Sequence, residues 1–377
     1  MSLFHALKSR SLLILLILVA VTGGMVINEL RSSWLQAHYF FRLATRLDYK
    51  LEKGPSSSIR FPKSGPYDER LGYNKIPEYT KSLTSRGFVV TEQVRMSPTL
   101  LDSPLAPIYA EKDQAGLTLL DYNQRLLYVL LSPTRVYTNF DSIPKILTDT
   151  LLFIEDKELL DSRYPMRNPA VNWSRLDRAL FDQVLHAIHR QHDTPGASTL
   201  VTQIEKYRHS PEGRTSSIHE KFLQMDSASI RSYLQGMDNM ANRRQIIVSY
   251  LNTVPLTART GYGEVNGLGD GMWMWYGRDF HEFNHLLQMH GDEFLQQRAE
   301  TYKQALSLII AQRRPSYFLR EGSPVLMRMT NHYLRLLGSA HIISPALQRA
   351  SLALPLYLNQ GPLVPQANSL QLASGVR

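Results

Sequence analysis

The sequence predicts a mainly α-helical protein that begins with a transmembrane helix and carries a small α+β region before its main domain. An apolar run starts at Leu12, short apolar segments bounded by turn residues lie between residues 55 and 138, and apolar residues recur at helical spacing through most of residues 139–358. Hydrophobic residues make up 43% of the 377 and charged residues 20%, which is typical of a globular protein with room for two or three domains.

Residues 1–31 are predicted to form a cytoplasmic stub and a transmembrane signal anchor. Lys8 and Arg10 precede the apolar run, which continues to Ile27 and, with its flanks, approaches the roughly 20 residues that a spanning helix needs. The basic flank indicates an N-terminus in the cytoplasm and a body on the other side of the membrane. A cleaved signal peptide is the alternative, but no Ala-x-Ala-like cleavage site follows the run.

The next two regions are predicted from shorter patterns. Residues 32–54 have the apolar spacing of a juxtamembrane helix, and residues 55–138 form the small α+β region, with a helix over 76–86 that Gly87 ends. The predicted strands are residues 88–90, 93–95, 108–110, 117–120 and 126–130, with a hairpin turn at 123–125. What this region binds is not indicated by its sequence.

The main domain, residues 139–358, is predicted to be almost entirely helical. Loops are expected at Gly196, at 209–214 and at 256–272, and long amphipathic helices over 286–312 and 325–337. Residues 359–377 are polar, and we expect a tail or the beginning of a further region.

The charge balance narrows the class of partner. A net charge of +9 and a pI near 9.5 favour anionic partners, namely nucleic acid, anionic lipid or a phosphorylated substrate. The basic residues do not alternate with aromatic residues in a stripe, which argues against nucleic acid.

Cysteine is absent, so disulfides and thiol chemistry are excluded. Three histidines recur every third residue from His186 to His192, but such steps drift around a helix and no carboxylate converges on them, so no metal site is predicted.

An acid pair ends the first predicted helix of the main domain. Apolar residues from Ile146 to Ile154 define a buried face, and Glu155 and Asp156 follow at the helix end, where the helix dipole disfavours a carboxylate. Taken alone, the pattern is more typical of a solvated helix end with Lys157 as the ion-pair partner.

One later stretch has the composition of an anion site, and another has an acid at a helix start. Gly196 provides a tight turn before Ser198, which is suited to cap the following helix, and free amides at a helix start bind anions. Lys206 adds a positive charge two turns further on. The alternative is an ordinary capped helix. In the second stretch, Glu220 lies among apolar residues at another helix start, where a surface Glu paired with a neighbouring Lys is the alternative.

In this order, the stretches resemble the bacterial peptidoglycan glycosyltransferases, meaning the transglycosylase domain of class A penicillin-binding proteins and its monofunctional relatives. That family has a Glu-Asp-basic motif, then Gly-Gly-Ser-Thr-(Ile/Leu)-Thr-Gln-Gln, then Arg-Lys-x-x-Glu, then Ile-Leu-x-x-Tyr-Leu-Asn. The similar segments here are Glu155-Asp156-Lys157, Gly196-Ala197-Ser198-Thr199-Leu200-Val201-Thr202-Gln203, Glu220, and Ile246-Ile247-Val248-Ser249-Tyr250-Leu251-Asn252. The likeness covers roughly residues 105–355.

The resemblance implies a lysozyme-like fold and an activity. The family polymerises lipid-linked disaccharide-pentapeptide (lipid II) into glycan strands outside the membrane, with inversion at the anomeric carbon. By resemblance, Glu155 is the general base, buried beside Lys157, and Glu220 acts on the donor side. The implied substrate-binding residues are Asp156, Lys157, Gly196, Ser198, Thr199, Gln203, Lys206 and Arg214.

No cofactor is certain, and a divalent cation (Mg or Mn) bound with the pyrophosphate stays open. The implied partners are lipid II, the growing glycan strand, the inner membrane and other cell-wall synthesis proteins.

The sequence departs from the family pattern at several positions. Ser216-Ser217 replaces the Arg-Lys pair that is thought to hold a pyrophosphate, and Arg214 or Lys221 is the candidate substitute. Ala197, Val201 and Thr202 also differ from the pattern. Two alternatives follow. One is a catalytically impaired pseudoenzyme that binds precursor or glycan and scaffolds cell-wall synthesis; the other is a lysozyme-like enzyme that cleaves glycan.

Overall fold

The computed structural model describes residues 2–61, 69, 72–103, 113–171, 198–209, 215 and 217–359. Across these residues the chain forms fourteen helices and three two-stranded antiparallel sheets. The predicted fold class, mainly α with a small sheet-containing region and one apolar N-terminal helix, is confirmed.

The N-terminal helix α1, Ser2–Ser32, contains the predicted membrane-crossing segment. Leu15–Ser32 has a mean hydropathy of 1.5, and none of it is buried within the fold, so by length and composition it can span a bilayer. Helix α2, Trp34–Ala44, follows at once. The Glu29 carboxylate accepts the backbone N–H groups of Leu35 at 2.8 Å and Gln36 at 3.1 Å, so α1 provides the N-terminal cap of α2.

Helix α2 packs against the main domain. The Phe40 ring stacks on Tyr233 with 6.2 Å between centroids, and Gln36 Oε1 accepts a hydrogen bond from Asn168 at 3.1 Å. A small apolar cluster closes this junction, formed by Ala44, Leu47, Leu100 and Ile230. The end of the anchor is therefore joined to the main domain through side-chain contacts.

The small α+β region differs in part from its prediction. The juxtamembrane helix ends at Ala44, and the chain then forms strand β1, Tyr49–Lys53, which pairs with β2, Glu92–Met96. The prediction of helix over 49–53 was therefore wrong, and so was the strand predicted at 88–90, which precedes β2 as coil. Helix α3 spans Ile76–Thr84 and α4 spans Pro98–Asp102.

The predicted hairpin is confirmed. Strand β3, Ala115–Leu120, pairs antiparallel with β4, Leu126–Ser132, around a turn in which Asp121 accepts the backbone N–H groups of Asn123 and Arg125, each at 2.8 Å. The strand predicted at 108–110 lies outside the described residues.

The main domain begins with α5, and its described residues form helices and one hairpin. Its described elements are α5 Lys145–Glu155, α6 Leu200–His209, α7 Ile218–Ser232, α8 Met240–Thr253, β5 Pro255–Arg259, β6 Gly263–Asn266, α9 Gly267–Tyr276, α10 Phe280–Gln288, α11 Leu295–Ala311, α12 Pro315–Phe318, α13 Ser323–Ser339 and α14 Pro345–Ala353. Helix α11 is buried on all sides over its last three turns, so it forms the centre of the core.

Two predictions in this domain were wrong. The loop expected over 256–272 contains hairpin β5–β6 and the start of α9. Gly267 makes this possible, because its φ is +80° and a Cβ there would lie 2.5 Å from the Asn252 carbonyl oxygen. The single helix expected over 286–312 is divided, since α10 ends at Gln288 and α11 begins at Leu295, with Gly291 at a φ of +115° between them.

Candidate active site

The last residue of α5 is a buried acid. Apolar side chains of α5 enter the core, and the Thr150 and Tyr302 hydroxyls, 2.7 Å apart, tie α5 to α11. Glu155 is only 6% exposed, and a buried carboxylate requires partners. Its Oε2 accepts from Gln203 Nε2 at 3.1 Å, and its Oε1 from Gln312 Nε2 at 3.4 Å and Arg313 Nη2 at 3.3 Å. Three donors from two parts of the chain therefore surround this acid.

The cation beside Glu155 is Arg313, not Lys157. Lys157 is exposed, and its Nζ lies 4.0 Å from the centroid of the Phe153 ring. Burial works to lower the pKa of Arg313, yet the nearby Glu155 and Tyr333 raise that pKa above its ordinary value. Motif comparison missed Arg313 because it lies 158 residues away from Glu155. The sequence signal that could have pointed to Arg313 was the polar run that directly follows the buried helix α11.

A buried arginine of the main domain holds the segment that follows Glu155. Arg243 of α8 is 1% exposed, and its guanidinium donates to the carbonyl oxygens of Leu159 at 3.2 Å, Tyr164 at 2.8 Å and Arg167 at 2.6 Å. Burial lowers the pKa of Arg243 to about 10, although the charge of Asp156 acts in the opposite direction. Asp156 is itself buried, so it lies on the inner side of this segment.

Replacing Arg243 by methionine is expected to destabilise the domain by about 3 kcal/mol or more, because several buried carbonyl oxygens lose their donor. Arg244→Met is the matched control, since Arg244 is exposed and only stacks near Phe140, with 5.5 Å between Cζ and the ring centroid. Thermal unfolding in detergent measures the difference. Equal unfolding temperatures for the two variants would contradict the role given to Arg243.

The start of α6 is fixed by a reciprocal pair of threonines. The Thr199 N–H donates to Thr202 Oγ1 at 2.9 Å, and the Thr202 N–H donates to Thr199 Oγ1 at 3.4 Å. Both residues are about 1% exposed. Thr202 departs from the family pattern, and here its hydroxyl completes the N-terminal cap of α6 together with Thr199. The cap residue is Thr199, not Ser198 as expected, and Gly196 lies outside the described residues.

Gln203 joins two of the motifs. Its Nε2 donates to Glu155, and its Oε1 accepts from the Tyr250 hydroxyl at 3.4 Å. Asn252, two residues further along α8, accepts the Tyr137 N–H at 2.8 Å and donates to the Tyr137 carbonyl oxygen at 2.9 Å. The first, second and fourth motifs therefore meet around Glu155.

Two lysines meet next to this centre. Lys221 Nζ donates to Ser198 Oγ at 2.8 Å, and both burial and the charge of Lys206 lower the pKa of Lys221. Gln203 and Lys206 are three residues apart on α6, and such residues share a helix face with about 5–6 Å between their Cβ atoms. Lys206 therefore lies one turn along α6 from the residue that holds Glu155, and Lys221 contacts Ser198, the residue directly before the Thr199 cap of the same helix.

A buried ion pair holds the helices that carry these lysines. Glu205 Oε1 lies 2.8 Å from Arg231 Nε, and Ser227 donates to Glu205 Oε2 at 2.7 Å. Glu205 is 1% exposed and Arg231 is 7% exposed. The contact fixes α6 against α7 and with it the spacing of Lys206 and Lys221.

The start of α7 explains one departure from the family. Ser217 stands where the family has Lys, and its Oγ accepts the Glu220 N–H at 3.1 Å as the N-terminal cap. Glu220 is partly exposed in the first turn, where the helix dipole favours a carboxylate. Arg214 and Ser216 lie outside the described residues. Among the described residues near this helix start, Lys206 and Lys221 carry positive charge.

No group of three or more His, Asp or Glu side chains suited to a metal ion occurs in the part of the chain that the structure describes. The histidines from His186 to His192 lie outside that part. A divalent cation held with a pyrophosphate therefore stays a prediction.

The helical main domain thus holds a buried carboxylate, Glu155, with donors from α6 and from the end of α11. The sequence profile of the transglycosylase family matches residues 123–334, more than half of the chain. The chain belongs to this family, and its domain is lysozyme-like, as predicted. It is a glycosyltransferase-type protein of cell-wall biosynthesis. No curated protein matches the chain.

Proposed function

We propose that the protein polymerises lipid II into glycan strands on the periplasmic side of the inner membrane. The observation that carries this proposal is the buried Glu155 carboxylate, held by Gln203 of α6, with Lys206 one turn further along α6 and Lys221 of α7 in contact with Ser198 just before α6. The reaction needs a base for a sugar hydroxyl and positive charge for a departing pyrophosphate. This arrangement offers both within one region.

In the proposed reaction, Glu155 accepts the proton of an acceptor sugar hydroxyl. The hydroxyl oxygen forms a new bond to the anomeric carbon of the donor, and the bond from that carbon to the pyrophosphate breaks. The electron pair leaves with the pyrophosphate, and attack from the opposite face inverts the anomeric carbon. Arg313 supports the role of Glu155, because its guanidinium lies 3.3 Å from the carboxylate and orients it.

The pyrophosphate would bind to Ser198, Lys206 and Lys221, through charge-assisted hydrogen bonds. Glu220 would orient the donor or a divalent cation (Mg or Mn) held by its pyrophosphate. The further substrate-binding residues proposed by resemblance are Lys157, Gly196 and Arg214. Asp156 and Thr199 are buried, so we assign them a supporting position behind the binding surface.

An apolar groove favours a lipid-linked substrate. It has a volume of about 690 Å³ and lies between the end of α1, α2 and α7. Its apolar lining includes Met25, Leu30, Phe40, Phe222 and Met225. Met25 and Leu30 belong to the membrane-crossing segment, while Phe222 directly follows Lys221 in α7. A hydrocarbon chain in this groove would place its phosphates near the lysine pair.

A second candidate function is precursor binding without turnover. It is favoured by Ser217, which caps α7 at a position where the family carries a lysine. Such a protein would hold precursor or glycan for other cell-wall synthesis proteins.

The test is polymerisation of fluorescent lipid II by the full chain purified in detergent, followed by gel separation. We expect long glycan strands that lysozyme digests. Binding of lipid II with no more product than a Glu155→Gln variant gives would overturn the enzyme proposal in favour of the binding protein. Release of soluble fragments from purified sacculi, without polymer, would instead indicate a glycan-cleaving enzyme.

A further inference from the structure

Arg313 holds a position that the motifs do not assign. It follows the central helix α11, and its Nη2 lies 3.3 Å from Glu155 Oε1. Its guanidinium also lies 5.5 Å from the centroid of the Tyr333 ring on α13. The side chain is 39% exposed, whereas that of Glu155 is 7% exposed. One end of this cation is therefore fixed against the buried acid.

Among the described residues, the other groups that donate to Glu155 do not provide this charge. Gln203 and Gln312 are neutral amides. Asp156, the next acid in the chain, is directed toward the interior, where its charge acts on Arg243. The ammonium of Lys221 contacts Ser198, and Lys206 lies beside it.

Lys157 is the basic residue of the motif, but it contacts a different side chain. Its Nζ lies over the Phe153 ring at 4.0 Å, and its side chain is exposed. A cation that is free to move in solvent orients a carboxylate poorly, because surface ion pairs are screened and lose side-chain entropy. Arg313, in contrast, extends from the end of the most buried helix of the domain.

We propose that Arg313 is the positioning residue of Glu155, holding the carboxylate oriented in place of the motif lysine. The inference rests on the proposed function, in which Glu155 is the base. In this chain the charge that supports the base comes from the end of α11 and not from Lys157.

Kinetics of four variants test this in the polymerisation assay. Arg313→Gln is expected to lower kcat by about tenfold to a hundredfold with little change in KM, since a hydrogen bond to a charged group is lost. Arg313→Lys should recover part of this loss. Arg314→Gln is the matched control, because Arg314 stacks near Tyr317 with 4.9 Å between Cζ and the ring centroid, and it should stay within about twofold of the wild type. Lys157→Gln, at a residue proposed to bind substrate, should lose less kcat than Arg313→Gln.

A second measurement does not depend on turnover. Without Arg313, Glu155 is a buried carboxylate that lacks its cation, so Arg313→Gln should lower the unfolding temperature by about 4 °C or more. In a Glu155→Gln background the same change should have a much smaller effect, and Lys157→Gln should have none in either background.

The outcomes separate the two proposals. Equal effects of Arg313→Gln in both backgrounds, or a kcat loss for Lys157→Gln that exceeds the loss for Arg313→Gln, would overturn the inference. If the wild type makes no polymer but the unfolding temperatures show the coupling, the contact between Arg313 and Glu155 stands and the proposed function fails.

Discussion

Glycan polymerisation is expected to slow by about a hundredfold to ten-thousandfold when Glu155 is replaced by glutamine, the range that a general base contributes. The amide has nearly the same shape but does not accept a proton from a sugar hydroxyl at neutral pH. It can still occupy the site beside Gln203 and Gln312, so the fold is retained. Initial rates with fluorescent lipid II, at saturating and at low substrate, measure the effect.

Glu158→Gln is the control for the Glu155 variant. Glu158 lies three residues away, is 44% exposed and pairs with Arg167 at 2.7 Å, so its loss should leave the rate within about twofold. The Glu155 variant should bind lipid II with near wild-type affinity, because the lysine pair is intact. A Glu155→Gln rate within tenfold of the wild type would contradict the role of base and leave Glu155 a structural acid.

Sequence patterns could locate Glu155 but not its partner. The acid follows a helix with a clear buried face, and the order of the motifs places Gln203 and Tyr250 near it. Lys157 was the expected cation because it is adjacent in sequence, yet an exposed side chain next to an aromatic ring has a nearer partner in Phe153. Arg313 comes close only through the packing of α11 against α5, which local patterns do not contain.

The secondary-structure predictions that were wrong have the same cause, since they also depend on packing that local patterns do not contain. The hairpin of β3 and β4 was predictable, because its strands and turn are adjacent in sequence. Strand β1 was not, since residues 49–53 become a strand by pairing with residues about 40 positions later. Hairpin β5–β6 was missed because its turn is rich in glycine and its strands are short. Tertiary pairing decided these elements, not local propensity.

Removal of the lysine pair is expected to weaken the binding of a pyrophosphate-linked lipid. Lys221→Gln should raise the Kd about tenfold, and Lys206→Gln combined with Lys221→Gln about a hundredfold, since each charge-assisted contact to an anion is worth about 1.5–3 kcal/mol. Two ammonium groups close enough to lower the pKa of Lys221 repel each other until an anion binds between them. Titration of a short-chain lipid II analogue, followed by fluorescence anisotropy, measures both values.

The lowered pKa of Lys221 gives this binding a pH dependence with a definite sign. Only the ammonium form attracts the pyrophosphate, so affinity should fall as the pH rises through the pKa of Lys221, below the range in which an ordinary lysine loses its proton. In Lys206→Gln this fall should move to higher pH, because one of the two causes of the lowered pKa is gone. Lys145→Gln is the control, since Lys145 is exposed and pairs with Asp149 at 2.6 Å. A Kd that is the same for Lys221→Gln and Lys145→Gln would place the pyrophosphate elsewhere.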